Sequence, residues 1–123
     1  MNQPLHRYKA QFFKALGHPA RLAILDQLRG GERSVGELQA AIGVGQPVVS
    51  QQLARLRESG IVDGRRVGNT TYYSVRDPLL FKLLDVARQI FDNQLVSSQE
   101  LLKQLRSEPL AWSSNRRVAQ LKR

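Results

Sequence analysis

The chain has 123 residues, 19 lysines and arginines against 10 aspartates and glutamates, and a formal net charge of +9. That length suits one folding unit with a modest core, and the charge favours a polyanionic partner, with nucleic acid ahead of an anionic membrane surface. With no cysteine, disulfides, thiolate metal sites, cysteine nucleophiles and thiol redox switches are excluded.

The N-terminal run MNQPLHRYKAQFF has no apolar signal core, and no apolar run approaches the roughly eighteen residues of a membrane span, so a cytoplasmic protein without a membrane partner is expected. Leu5, Tyr8, Phe12, Phe13 and Leu16 recur at helical spacing and predict an amphipathic first helix stopped by Gly17. Pro19 suits the start of a second helix with a buried stripe of Leu22, Ile24, Leu25 and Leu28, ended by Gly30 and Gly31. Ser34 and Glu37 have the spacing of a capping box, so VGELQAAI is read as a third helix ending at Gly43.

Val44 and Gly45 then make a tight turn, and Pro47 takes the first position of a fourth helix that runs to about Ser59 and stops at Gly60. Next, IVDGRR and TTYYSV are short, rich in β-branched and aromatic residues, and separated by Gly68-Asn69, which reads as a hairpin. Pro78 opens a long last helix. Its Leu79, Leu80, Leu83, Leu84, Ala87, Ile90, Phe91 and Leu95 form an apolar face wider than one neighbouring helix requires, which predicts a partner chain. Residues 1–105 are thus expected to be mainly α with a small β-hairpin, and residues 106–123, with four basic residues from Ser107 onward, a flexible basic tail.

The fourth helix carries the functional signal. At 100° per residue, Val49, Leu53 and Leu56 form an anchoring stripe, while Gln46, Val48, Ser50, Gln51, Ala54 and Arg55 lie elsewhere, with no carboxylate before Glu58. In a major groove a glutamine amide pairs two-pronged with adenine, a serine hydroxyl donates or accepts, and valine packs on a thymine methyl. Gln46, Val48, Ser50 and Gln51 supply these chemistries, and Arg55, further along, is expected nearer the phosphates. The hairpin adds a basic finger of Arg65, Arg66, Asn69 and Thr70 able to reach an adjacent groove or its backbone. Taken singly, a glutamine-rich helix face or a hairpin arginine is usually just solvated. Their order along the chain points to double-stranded DNA.

The runs GHPARLAILDQL, SVGELQAAIGVGQPVVSQQLARLRESGIV and RRVGNTTYYSV resemble the ArsR/SmtB family of winged-helix repressors, over roughly residues 12–95. The resemblance implies a winged helix-turn-helix that dimerises through its first and last helices, with Tyr8, Phe12, Leu80, Leu83, Leu84, Ala87, Ile90 and Phe91 at the interface. It also implies Gln46, Val48, Ser50 and Gln51 at bases, and the wing from Arg65 to Thr70 at the backbone. His18, Pro19 and Arg21 match the family's His-Pro-x-Arg and are read as structural.

Many relatives sense metals through cysteines in the third helix or through Asp and His in the last. Here the third-helix region carries Glu32, Arg33, Ser34, Val35, Gly36 and Glu37, and the last helix region offers Asp77, Asp85 and Asp92 but no histidine, so no metal and no cofactor is expected. His18 suits a helix N-cap, and His6 reads as an exposed histidine for which a pH role stays open. No nucleophile with its base is apparent, so an enzyme is not expected. The expected function is a homodimeric, sequence-specific repressor on a near-palindromic operator, its small-molecule or protein effector unidentified. The alternative is a winged-helix module turned to protein binding, its basic tail docking an acidic partner.

Overall fold

A computed structural model describes residues 3–107, in two compact units that divide after Phe81. The basic tail expected over residues 106–123 therefore lies, but for its first two residues, outside the described residues.

The first unit begins with α1 (Pro4–Leu16), ended at Gly17, and α2 (Pro19–Gln27). His18 caps α2: its Nδ1 accepts the Ala20 N–H at 3.0 Å, satisfying a first-turn donor that the helix itself leaves over. A 3₁₀ turn (Leu28–Gly30) follows, then β1 (Arg33–Ser34) and α3 (Val35–Ile42). The capping box forms in both directions, Glu37 N–H donating to Ser34 Oγ at 3.2 Å and Ser34 N–H to Glu37 Oε1 at 2.9 Å. Gly43 takes φ 81°, the left-handed conformation that ends α3 and turns the chain into α4 (Gln46–Glu58). Gly45 is the N-cap of α4, so Pro47 stands second in that helix, one place later than expected.

The hairpin consists of β2 (Val62–Val67) and β3 (Thr70–Val75). Gly68 has φ 60° while Asn69 keeps a negative φ, the pattern of a turn that needs glycine first. The sheet has three antiparallel strands in the order β1-β3-β2, with Arg33 opposite Tyr73 and Ser34 opposite Tyr72. The pairing of β1 is an addition to the expected hairpin; two residues carry no alternation from which a strand could be read.

Ile24, Leu25 and Leu28, Leu38 of α3, Val49, Leu53 and Leu56 of α4, and Ile61 and Val62 are buried and form the core. Leu22, expected in the α2 stripe, is instead 42% exposed. At 100° per residue it lies roughly 110° from the centre of the other three, outside the face they bury.

The helix α5 (Leu79–Arg106) starts one residue after Pro78, with the Asp77 carboxylate accepting the Leu79 N–H at 3.0 Å. In the second unit, from Lys82 onward, this helix leaves Val86, Ile90, Phe91, Leu95, Val96, Leu101 and Leu102 exposed, and Leu83, Leu84 and Ala87 half-buried. No helix among the described residues is long and apolar enough to cross a membrane.

Candidate nucleic-acid interface

The helix pair α3 and α4, joined at Gly43 to Gly45, presents one face of α4 outward. Val49, Leu53 and Leu56 are 0% exposed, whereas Gln46, Val48, Ser50, Gln51 and Arg55 are all exposed. The structure therefore brings four groups of the base-reading kind onto the first turn and a half of one helix. No side chain caps α4 and no acidic residue stands in its first turn. Pro47 has no N–H and Val48 N–H donates to the Gly45 carbonyl at 3.1 Å, so the helix start offers a positive dipole end and the Gln46 N–H, with no carboxylate on it among the described residues. Such an end suits a phosphate oxygen.

Arg55 is exposed but does not simply continue that face. It lines a cavity of about 360 Å³ together with Tyr8, Phe12 and Lys14 of α1, Arg21 and Glu58. Three cationic side chains against one carboxylate make this cavity positive.

The two wing arginines, neighbours in sequence, differ in state. Arg65 donates to both oxygens of Glu32, at 2.9 and 2.7 Å, and lies over the Tyr72 ring at 5.6 Å. This hydrogen-bonded guanidinium holds the Glu32 carboxyl below the usual glutamate range. Arg66 donates only to the Gly68 carbonyl, at 3.1 Å, leaving its charge without a matching carboxylate among the described residues. Asn69 and Thr70 are exposed at the tip. At the wing base Arg76 grips Asp63 at 2.7 and 3.0 Å, and the Asp63 carboxyl is likewise held low by that hydrogen bond.

One residue that sequence reasoning missed is Gln52, buried at 8% exposure, whose Oε1 accepts from Arg21 Nη1 at 2.7 Å. Its signal was available: Val49, Gln52, Leu53 and Leu56 have the i, i+3, i+4, i+7 spacing of a core face, so a polar residue at 52 demands a buried partner. Arg21 also donates to the Ala15 carbonyl at 2.6 Å and the Lys14 carbonyl at 3.4 Å, consistent with the structural reading of the His-Pro-x-Arg segment.

Of the residues expected at a subunit interface, Tyr8 is 71%, Ile90 51% and Phe91 59% exposed, while Phe12, Leu83, Leu84 and Ala87 are half-buried. Leu80 differs, being 7% exposed; it belongs to the core of its own chain and leaves little surface for a partner. His6 is exposed, and no group of three or more potential metal ligands gathers among the described residues.

A family model described as bacterial regulatory protein, arsR family, matches residues 18–63. The HTH-type transcriptional regulator Rv0081 of Mycobacterium tuberculosis is 43% identical over 107 residues, covering 86% of this chain and 94% of that one. Its crystal structure superposes with a TM-score of 0.71 at 44% identity, over 78% of this chain and 97% of that one. A biofilm growth-associated repressor of Xylella fastidiosa is 45% identical over 85 residues, 69% of this chain and 75% of the repressor. The homodimeric winged helix-turn-helix DNA-binding domain of Mb0332 from Mycobacterium bovis matches with a TM-score of 0.67 at 33% identity, over 74% of this chain and 84% of that one.

Proposed function

Since the chain belongs to the arsR family of bacterial regulatory proteins, and is a DNA-binding transcriptional regulator of winged helix-turn-helix fold and not an enzyme, we propose that it represses transcription as a homodimer on a near-palindromic operator. In this reading each α4 enters one major-groove segment with Gln46, Val48, Ser50 and Gln51 towards base edges. The N-terminus of α4, the wing residues Arg66, Asn69 and Thr70, and Arg55 hold the adjacent backbone, and Arg65 joins them once it leaves Glu32.

The observation that carries the reading is the division of α4 into a fully buried apolar stripe and an exposed face free of carboxylates from Gln46 to Arg57. A carboxylate on that face would repel phosphate, and the face can approach a duplex without that cost. Repression is supported by the name of the Xylella relative, and dimerisation by the homodimeric M. bovis domain. The exposed apolar residues of α1 and of α5, Tyr8, Ile90 and Phe91 among them, with the half-buried Phe12, Leu83, Leu84 and Ala87, supply surface for the second copy. Residues 1–105 would then form the DNA-binding and dimerisation domain, working in the cytoplasm where the chromosome lies. A cysteine-based metal or redox sensor has no residue to use.

The test is selection from a randomised duplex pool by the full chain. A two-fold symmetric consensus is expected, with half-sites about one helical turn apart, and Gln51→Ala should lower the preference for the selected over a scrambled duplex about tenfold or more. No enrichment by the wild-type protein, or an equal weakening of both duplexes by Gln51→Ala, would falsify the base-reading role.

A further inference from the structure

Gln52 is the one polar side chain buried in the core among the described residues, and it lies in the middle of α4. Burial of Val49, Leu53 and Leu56 holds that helix to the body, but apolar packing is not directional and resists rotation about the helix axis only weakly. Side chains stand about 5–6 Å from a helix axis, so a rotation of roughly 20° moves them by about 2 Å. A hydrogen bond to a base edge does not survive that displacement.

A directional restraint is present. Gln52 Oε1 accepts from Arg21 Nη1 at 2.7 Å, while Nε of the same guanidinium donates to the Ala15 carbonyl at 2.6 Å and Nη2 to the Lys14 carbonyl at 3.4 Å. The planar fork of arginine fixes the directions of these bonds relative to one another. It therefore ties the last turn of α1 and the first turn of α2 to one angular position on α4. Gln51 is the next residue along the helix, so a fixed bearing for Gln52 fixes the bearing of Gln51 about 100° away.

We propose that Arg21 and Gln52 are positioning residues that set the rotation of α4 and thereby the sequence discrimination of the protein, without touching DNA. The inference rests on the reading of α4 as the base-reading helix. Stability alone would not call for this pair, because apolar residues of similar volume at both positions would extend the stripe of Val49, Leu53 and Leu56, and buried polar pairs replaced together in that way are often no less stable.

The experiment measures, for the full chain, the ratio of Kd on a scrambled duplex to Kd on the duplex selected by the wild-type protein, together with the thermal midpoint. Gln52→Glu keeps an acceptor for Arg21 and should keep the ratio; Gln52→Leu and Arg21→Lys should lower it about tenfold or more, the worth of one well-aligned base contact. The loss should fall on the selected duplex, with the scrambled one bound as before, even though Gln52→Leu, which leaves Arg21 Nη1 without its acceptor, should melt below Gln52→Glu. If Gln52→Leu keeps the wild-type ratio, or loses it only by weakening both duplexes alike, the proposal is overturned. Should Gln52→Leu fail to fold, Arg21→Lys alone decides by the same ratio. Gln51→Ala separates the two levels: if it too leaves the ratio intact, the base-reading assignment of α4 falls; if it lowers the ratio while Gln52→Leu does not, only the positioning role falls.

Discussion

Arg65 and Arg66 stand side by side on β2, yet only one of them meets a carboxylate. An exposed ion pair adds little to stability, but it removes a positive charge from those able to meet phosphate. Glu32→Gln should therefore release Arg65, raise affinity for every duplex at low salt and steepen the slope of log K against log salt by about one, whereas Arg66→Ala should make the slope shallower by about one. Anisotropy titrations between 50 and 300 mM salt, roughly the range over which such slopes are read, check both; an unchanged slope for Glu32→Gln would mean that Arg65 stays on Tyr72 and away from DNA. The same pair fixes a pH dependence. Glu32 and Asp63 have carboxyl pKa values depressed by the hydrogen bonds from Arg65 and Arg76. Their contribution is thus present above the unfolded values, about 4.3 and 3.9, and is lost as pH falls through the lower folded values. Carboxyl resonances followed by NMR should titrate below those values for both residues. The positive charge of Arg65 was legible in the sequence but its partner was not, because Glu32 lies 33 residues away and reaches Arg65 only through the β1-β3-β2 sheet. Exposure along α4 was legible because helical periodicity alone assigns Val49, Leu53 and Leu56 to one side.

At the scale of elements, what could be read from sequence is what local chemistry decides. Helix ends followed from His18, from Ser34 with Glu37, and from Gly43, each acting within three or four residues of the end it sets. The short β1 was hidden, since it exists only because Tyr72 and Tyr73 of a distant strand accept it as a third member of the sheet. Two caps give measurable costs. Ser34→Ala removes one side of the capping box and should lower stability by about 1 kcal/mol in urea denaturation. Gly60 has φ 73°, and a Cβ there would come within 3.1 Å of Arg76 Nη1. The arginine end can move aside, so the cost of Gly60→Ala is mainly that of the left-handed backbone, about 1–2 kcal/mol. Its side effect is more informative: displacing Arg76 loosens its grip on Asp63, so the Asp63 titration should shift upward in Gly60→Ala and stay put in Ser34→Ala.

For the molecule as a whole, two forces act in opposite directions with salt. Each copy carries a formal charge of +9, which draws it to DNA and at the same time opposes its meeting a second copy. The exposed side chains of α5, with Ile90 at 51%, Phe91 at 59%, Leu95 at 62% and Val96 at 57%, form an apolar run of the kind that soluble chains cover by association. Burying it is a hydrophobic contribution that salt does not screen, while the charge repulsion is screened within about 10 Å at 0.1 M. The proposed dimer should therefore strengthen with added salt as DNA binding weakens, and sedimentation at 50 and 500 mM, spanning roughly that screening range, separates the two. The double variant Ile90→Glu with Phe91→Glu should be monomeric at micromolar concentration at both ionic strengths. Because its α4 and wing are untouched, it should bind a scrambled duplex within a few-fold of a single wild-type subunit, yet lose about 10²-fold or more on the selected duplex, where two linked half-sites act together. A monomeric variant that kept full operator affinity would place recognition in one subunit and remove the need for a symmetric site.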